Sequence, residues 1–371
     1  MLTFSIMASL VMFAINLFSF VCLFCRIEFL KTRGCVVTAV ILLIVTILEV
    51  YYFTSFRRGG DDIFMLQFTA ALVGISFILF FFSLLYFILR VPLFIIPFCK
   101  ERRQALKFIL DITILIAAFS WVLKGLAGGF SKPIRRKAAV KIDSFNSSLS
   151  VAHITDAHIG KVLGKEFMQE VVNGANELDA DIVVITGDLV DMSPKYAKEK
   201  LEPLKELRSR YGVYYVLGNH EYFDNVAGVV ELIKSFGIRV LDNENVVIDG
   251  RINLAGINDI RGERFGIFKP DIKKALSGRD KNLPTLLLSH QPKVVDRITD
   301  EDKVDLIISG HTHGGQIFPF GLLVLLDQPY LYGLYRHSLV TQVFVSSGVG
   351  YWGPPLRILA PSEIVKLELK G

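Results

Sequence analysis

Four apolar runs dominate the first third of the chain, at about residues 2–25, 35–56, 63–89 and 108–127. Each is long enough to cross a bilayer as a helix, for which about 20 residues suffice. The first has no small-residue cleavage site and three more follow it, so it reads as a retained span rather than a removed signal. Val91-Pro92 and Pro97 break the apolar stretch after the third run, which suits a turn at a membrane surface. Residues 131–148 (SKPIRRKAAVKIDSFNSS) are polar and read as a linker. From Leu149 onward short β-rich runs alternate with amphipathic helix candidates at 165–177, 194–208 and 225–236, the pattern of an α/β domain. The expected organisation is therefore an N-terminal four-helix transmembrane region (1–130), a linker (131–148) and an α/β domain (149–371).

Composition sharpens this division. The chain is 52% hydrophobic and 21% charged, against about 45–50% and about 25% for soluble domains. Of its 29 Phe, 20 precede Ser131, which excludes a wholly soluble or a disordered protein. The net charge of +5 also belongs to the front, since residues 1–125 hold 11 Lys and Arg against 6 Asp and Glu. The rest is balanced and offers no excess charge to a polyanion, which argues against nucleic acid as a partner. Cys22, Cys25, Cys35 and Cys99 all lie in the front region. Cys22-x-x-Cys25 has the spacing of a redox or metal pair, but the apolar context favours ordinary buried thiols.

Loop charges set an expected orientation. The first loop carries Arg26, Lys31 and Arg33, and the third Arg90, Lys100, Arg102, Arg103 and Lys107; the second has only Arg57 and Arg58, beside Asp61 and Asp62. The positive-inside rule then puts loops one and three in the cytoplasm and both termini outside. The run Arg102-Arg103-Gln104-Ala105-Leu106-Lys107 resembles a twin-arginine export signal, although a plain basic flank reads the same way. Lys132, Arg135, Arg136, Lys137 and Lys141 after the fourth run oppose this orientation. Glu49 and Asp111 are ionisable groups within apolar runs, where function is the default reading. The simpler expectation is an interfacial position for Glu49, next to Tyr51-Tyr52, and a partner one turn away, Lys107, for Asp111.

The chemistry lies at the ends of five strands. The runs at 151–155, 182–186, 213–217, 286–288 and 306–308 lead into Asp156-Ala157-His158, Gly187-Asp188-Leu189-Val190-Asp191, Gly218-Asn219-His220-Glu221, Ser289-His290 and Gly310-His311-Thr312-His313-Gly314-Gly315. Ligands of α/β folds bind beyond the carboxyl ends of the strands, so these tips can share one site. Five of the seven His sit there. Carboxylate, imidazole and amide oxygen without thiolate suit Mn, Fe or Zn. Seven such groups are too many for one ion and suit two that share a carboxylate, the arrangement that clamps a phosphoryl displacement.

In this order the blocks D-x-H, G-D-x-x-D, G-N-H-E, H and G-H-x-H resemble the calcineurin-like metallophosphoesterase family over about residues 149–371. The resemblance implies a β-sandwich flanked by helices. It implies one divalent ion on Asp156, His158, Asp188 and His313, and a second on Asn219, His290, His311 and the bridging Asp188. It further implies a metal-bridging hydroxide as nucleophile, and His220, oriented by Asp191, as the acid for the leaving oxygen. GHTHGGQIFPF (310–320) and SSGVGYWGPPLR (346–357) resemble a membrane-tethered branch, with the loop 351–355 at the site mouth. There Arg357 is a candidate for a substrate phosphate, its alternative being a structural salt bridge. His153 reads as a packed or supporting histidine and His337 as one without a partner. Asp224, Asp242 and Asp259 read as turn formers, and Tyr330-Leu331-Tyr332 as packing.

The expected activity is a membrane-anchored phosphoesterase acting on a phosphodiester or pyrophosphate, its partners the bilayer and a phosphorylated small-molecule or lipid substrate. The expected place is a bacterial inner membrane with the catalytic domain outside. A cytoplasmic domain would instead suit a UDP-2,3-diacylglucosamine pyrophosphatase-like enzyme of lipid A assembly. A non-catalytic receptor or scaffold is the alternative of another class; intact chemistry at all seven ligand positions argues against it.

Overall fold

The computed structural model describes residues 2–27, 30, 33–55 and 62–371. Lys31, Arg57, Arg58 and Asp61, which enter the loop-charge reading, lie outside them. Residues 1–130 with 353–358 form one compact unit, and 131–352 with 359–371 form another.

The first unit is helical: α1 (Leu2–Cys22), α2 (Arg33–Ser55), α3 (Ile63–Arg90), the single turn α4 (Pro92–Ile95) and α5 (Lys100–Gly129). Four of its helices are long and apolar enough to cross a membrane. Asp62 caps α3 by accepting the Met65 N–H at 3.0 Å, which satisfies one of the free donors at a helix start. Pro92 begins α4 where α3 has ended, the position at which a missing N–H costs nothing. Large apolar side chains such as Met7, Val36, Phe64 and Phe119 are more than half exposed. Such surfaces require hydrocarbon rather than water around them.

Polar groups inside this unit depart from expectation at two places. Asp111 behaves as expected: its buried carboxylate accepts from Lys107 Nζ at 3.0 Å and also from the Tyr86 hydroxyl at 2.6 Å. Glu49 has a partner inside the protein that its sequence neighbours do not reveal. It is fully buried and accepts from Asn16 Nδ2 at 2.7 Å, because α1 offers it a polar partner inside the helical unit. Nor are the cysteines uniformly buried. Cys25 and Cys99 are exposed, because they lie at helix ends, and Cys25 Sγ is 3.1 Å from Cys35 Sγ.

The second unit is a sandwich of two six-stranded sheets, ordered β1-β12-β2-β3-β4-β5 and β10-β11-β9-β8-β7-β6. The first contains β1 (Ile134–Lys141), β2 (Ser148–Ile154), β3 (Ile182–Thr186), β4 (Val213–Val216), β5 (Arg239–Val240) and β12 (Glu363–Lys370). The second contains β6 (Glu244–Ile248), β7 (Ile252–Gly256), β8 (Thr285–Leu288), β9 (Leu306–Ser309), β10 (Gly333–Arg336) and β11 (Gln342–Val345). Alternation along each strand divides the core. Val151, Ile182, Val184 and Val216 meet Leu254, Leu286, Leu288 and Ile308 between the sheets. Their sequence neighbours Ala152, Val183 and Ile185 face outward onto α6 (Lys165–Glu177), α7 (Pro194–Leu201) and α8 (Val226–Ser235). Ala255, Leu287 and Ile307 face a separate outer cluster with Val294, Val295 and Ile298. Burial on both faces explains why these strands read as continuous apolar runs. Within each sheet β2, β3 and β4, and β8 and β9, run parallel, so their carboxyl ends share an edge.

Residues 134–141 are not a linker. They form β1, paired in parallel with β12 from Ile134↔Glu363 to Lys141↔Lys370. As an edge strand β1 buries only Val140 and exposes Arg135, Lys137 and Lys141, which is why its composition imitates a linker. Lys132, Arg135 and Arg136 pair with Glu170, Glu177 and Glu363 at 2.8 Å each. The helix expected at 194–208 stops at Leu201 and continues as a tighter turn, Glu202–Glu206, because Pro203 lacks the N–H that an α-turn needs.

His153, within β2, is packed as expected: its Nε2 is 2.7 Å from Thr186 Oγ1 and its ring meets Phe344 edge-on. Burial lowers its pKa to about 3. A folded pKa below the unfolded value of about 6.5 means that the unfolded chain takes up this proton first. Its contribution is therefore complete above about pH 6.5 and declines as the pH falls, by about 2 kcal/mol at pH 5. We expect His153→Gln to flatten the fall in unfolding free energy between pH 6.5 and 5 by about that amount, measured by denaturant titration in chelator.

Candidate metal centre

Three of the five strand tips turn sharply through left-handed residues. Asp156, His158, Asp188, His311 and His313 all have φ between +47° and +71°, a region that costs a residue with a Cβ of order 1 kcal/mol or more. Two glycines make the crowding possible. A Cβ on Gly218 would overlap the Asp188 carboxylate, and one on Gly310 would overlap that of Asp156.

Two buried clusters result, Asp156 with His158 and His313, and Asp188 with His290 and His311. In the first, His158 Nε2 lies 3.0 Å from His313 Nε2, which is 3.4 Å from Asp156 Oδ1. In the second, His290 Nε2 lies 3.1 Å from His311 Nδ1, 3.1 Å from Asn219 Oδ1 and 3.2 Å from Asp188 Oδ2. Asp188 Oδ2 is also 3.8 Å from His158 Nε2, so this carboxylate faces both clusters.

The donor set fits divalent cations. His290 Nδ1 sits 2.8 Å from the Thr186 carbonyl, an acceptor, so that nitrogen carries a proton and Nε2 is the ring atom turned to the centre. Burial opposes charging of the ring, but the Asp188 carboxylate prevails and raises its pKa, and a bound cation would take the place of the Nε2 proton. That nitrogen faces a carboxylate oxygen, an amide oxygen and a second imidazole. Buried lone pairs repel when they converge, and a cation between them removes the repulsion. Burial, reinforced by His290, pushes the His311 ring down to about 3, which keeps it neutral. With all four cysteines outside this unit, an all-nitrogen and oxygen set of this kind suits Mn, Fe or Zn.

His220 stands beside the clusters. Its Nδ1 is 2.8 Å from Asp191 Oδ1, and its Nε2 is 3.9 Å from Asp188 Oδ2. Burial opposes its charging, but the Asp188 and Asp191 carboxylates prevail and raise its pKa to about 9. Asp191 also takes His158 Nδ1 at 2.9 Å, a contact that sequence spacing did not reveal. Burial alone would raise the Asp191 pKa; the two imidazoles hold it well below the carboxylate range. The rings of Phe223 and Trp352 flank His220 with centroids 5.1 and 6.5 Å away.

Glu221 is the residue the sequence reading overlooked. Fully enclosed, it accepts Gly218 N–H at 2.8 Å, Asp188 N–H at 3.1 Å, Leu189 N–H at 2.7 Å and Val190 N–H at 3.3 Å. One carboxylate thus ties the Asp188 turn to the Asn219 turn. The signal was an acidic residue directly after Asn219-His220, at a tip whose backbone donors lack strand partners. Asp259 does form a turn, accepting Arg261 N–H at 2.8 Å, and also holds Gln291. His337 does have a partner, Tyr330 Oη at 2.9 Å from its Nδ1. Arg357 belongs to the helical unit, where it is buried with its backbone N–H on the Gly125 carbonyl.

A two-sheet sandwich whose parallel strand tips gather carboxylates and imidazoles into paired clusters defines a metal-dependent hydrolase. A family model described as calcineurin-like phosphoesterase matches residues 149–315. An uncharacterized metallophosphoesterase of Helicobacter pylori is 42% identical over 301 residues, 81% of this chain and 81% of that protein. A transmembrane protein with metallophosphoesterase domain from Danio rerio is 35% identical over 274 residues, 70% of this chain and 62% of that protein. Among solved structures, a dimetal phosphatase from Danio rerio gives a TM-score of 0.37 at 13% identity, over 56% of this chain and 89% of that one, a distant likeness. The chain belongs to the calcineurin-like metallophosphoesterase family, and it is a metal-dependent phosphoester hydrolase on a multi-pass membrane protein.

Replacing Glu221 by Gln puts an NH2 group where backbone N–H donors converge. We expect the sandwich to fold and divalent-ion affinity to fall by about 10- to 100-fold, as when a ligand's support is removed, measured by titration of the chelator-treated protein.

Proposed function

We propose that the protein hydrolyses a phosphodiester or pyrophosphate bond at a centre of two divalent ions (Mn, Fe or Zn). Asp156, His158 and His313 would hold one ion and Asn219, His290 and His311 the other, with Asp188 between them. The observation that carries this reading is the position of Asp188 Oδ2, 3.2 Å from His290 Nε2 in one cluster and 3.8 Å from His158 Nε2 in the other. When bound, the ions would supply Lewis-acid chemistry, polarising the phosphoryl group and lowering the pKa of water.

The remaining steps belong to the side chains. The Asp191 carboxylate on Nδ1 favours the charged ring and Nε2 lies 3.9 Å from Asp188 Oδ2, so His220 is placed to give a proton to the leaving oxygen. Asp191 holds that ring by Nδ1 and the His158 ring by the same oxygen, keeping both Nε2 atoms directed at the centre. Phe223 and Trp352 restrict how a leaving group approaches His220.

We expect Asp188→Asn to abolish turnover of a phosphodiester substrate. His220→Ala should lower kcat by about 10²- to 10⁴-fold for alkyl leaving groups and far less for p-nitrophenyl, which leaves without protonation. Equal losses for both leaving groups would remove the general-acid role.

The loop charges and the pairing of the basic residues around β1 within the folded unit favour a catalytic unit outside the cytoplasm. We expect a single cysteine at exposed Lys281 (Lys281→Cys, in a Cys-less background) to react with an impermeant maleimide in intact cells. Reaction only after lysis would place the unit inside and favour a UDP-linked acylated sugar as substrate.

A further inference from the structure

The helical unit contains a second polar centre, remote in sequence from the catalytic residues. Glu49 lies six residues before the end of α2 and Asn16 six before the end of α1, about 9 Å inside each helix at 1.5 Å per residue. Glu49 is fully buried. Its Oε2 accepts from Asn16 Nδ2 at 2.7 Å, and the same amide nitrogen donates to Thr46 Oγ1 at 2.9 Å. Ser76 of α3 is buried beside the same carboxyl group. Among the described residues Glu49 Oε1 and Asn16 Oδ1 have no hydrogen-bond partner, and Ser76 Oγ, close to the Glu49 carboxyl group, meets no hydrogen-bond geometry.

Asp111, in the same unit, has a Lys107 ammonium at 3.0 Å. Among the described residues Glu49 has no cationic partner. A buried carboxylate with one amide donor and no opposite charge is strongly destabilised. Buried oxygens of this kind on three different helices suit a bound cation.

We propose that Glu49, Asn16, Thr46 and Ser76 form an intramembrane binding site for a small monovalent metal cation. One carboxylate supplies one negative charge, so a monovalent ion leaves the site neutral, whereas a divalent ion would leave a net charge in hydrocarbon. The donors are hard oxygens (carboxylate, amide and hydroxyl), which favour alkali ions over the transition metals suited to the imidazole clusters. The site is independent of the catalytic chemistry.

The test uses the full-length protein in detergent and dicyclohexylcarbodiimide, which modifies protonated carboxyl groups in apolar surroundings. Peptide mass mapping reads the adduct at Glu49. In choline chloride the adduct is expected to form. Saturating Na⁺, Li⁺ or K⁺ at constant pH and ionic strength should slow it at least tenfold by displacing the proton. Glu49→Gln should abolish the adduct. Asn16→Leu, which keeps the carboxyl group, should raise the cation concentration needed for protection at least tenfold. Labelling of Glu49 that none of the three cations changes overturns the proposal, and so does an unreactive Glu49 in choline.

Discussion

Everything in the catalytic unit answers to one electrostatic constraint: buried lone pairs from carboxylates, imidazoles and an amide are made to converge where no proton can satisfy them all. Such a centre is unfavourable without cations, and the surrounding structure is what holds it together. Left-handed turns at five tip residues, the missing Cβ atoms at Gly218 and Gly310, and the Glu221 carboxylate beneath two of the turns all serve that convergence. The two apolar layers outside the sheets hold the strands, and the strands hold the tips. Asp191 extends the same logic outward, since one of its oxygens takes the Nδ1 atoms of His158 and His220 together.

The helical unit handles buried charge in two ways. Asp111 is matched internally by Lys107 and the Tyr86 hydroxyl. Among the described residues Glu49 meets only neutral groups, the Asn16 amide and the nearby Ser76 hydroxyl. The contrast matters because hydrocarbon supplies neither charge nor hydrogen bonds to compensate. A single unit therefore contains one carboxylate that is structurally complete and one that is not.

Much of this was legible in the sequence because the relevant signals are local. Apolar length marks the helices, and chain order marks the five tips, because each tip directly follows its own strand. The centre could be read because parallel strands in each sheet bring successive carboxyl ends to one edge. What remained hidden depends on partners distant along the chain. Strand β1 looks like a linker because its only full neighbour is β12, more than two hundred residues away. Glu49 looks unpartnered until Asn16 of α1 is seen beside it. Glu221 looks like part of a motif rather than a support because its ligands are backbone N–H groups, which have no sequence identity. His337 is the exception, hidden at short range: its partner Tyr330 sits seven residues earlier, beyond the other end of β10, a spacing that marks no contact in the sequence.

Strand order has a consequence for how the protein is made. The β12 strand, latest in the chain, lies between β1 and β2, the two earliest strands of the sandwich. Neither can acquire that neighbour until β12 has left the ribosome, by which time all four apolar helices have been synthesised. The first sheet thus closes around its latest strand, a non-local pairing of the kind that folds slowly. Until then the edges of β1 and β2 stay open to other strands, which makes that interval the one in which the sandwich is exposed to mispairing.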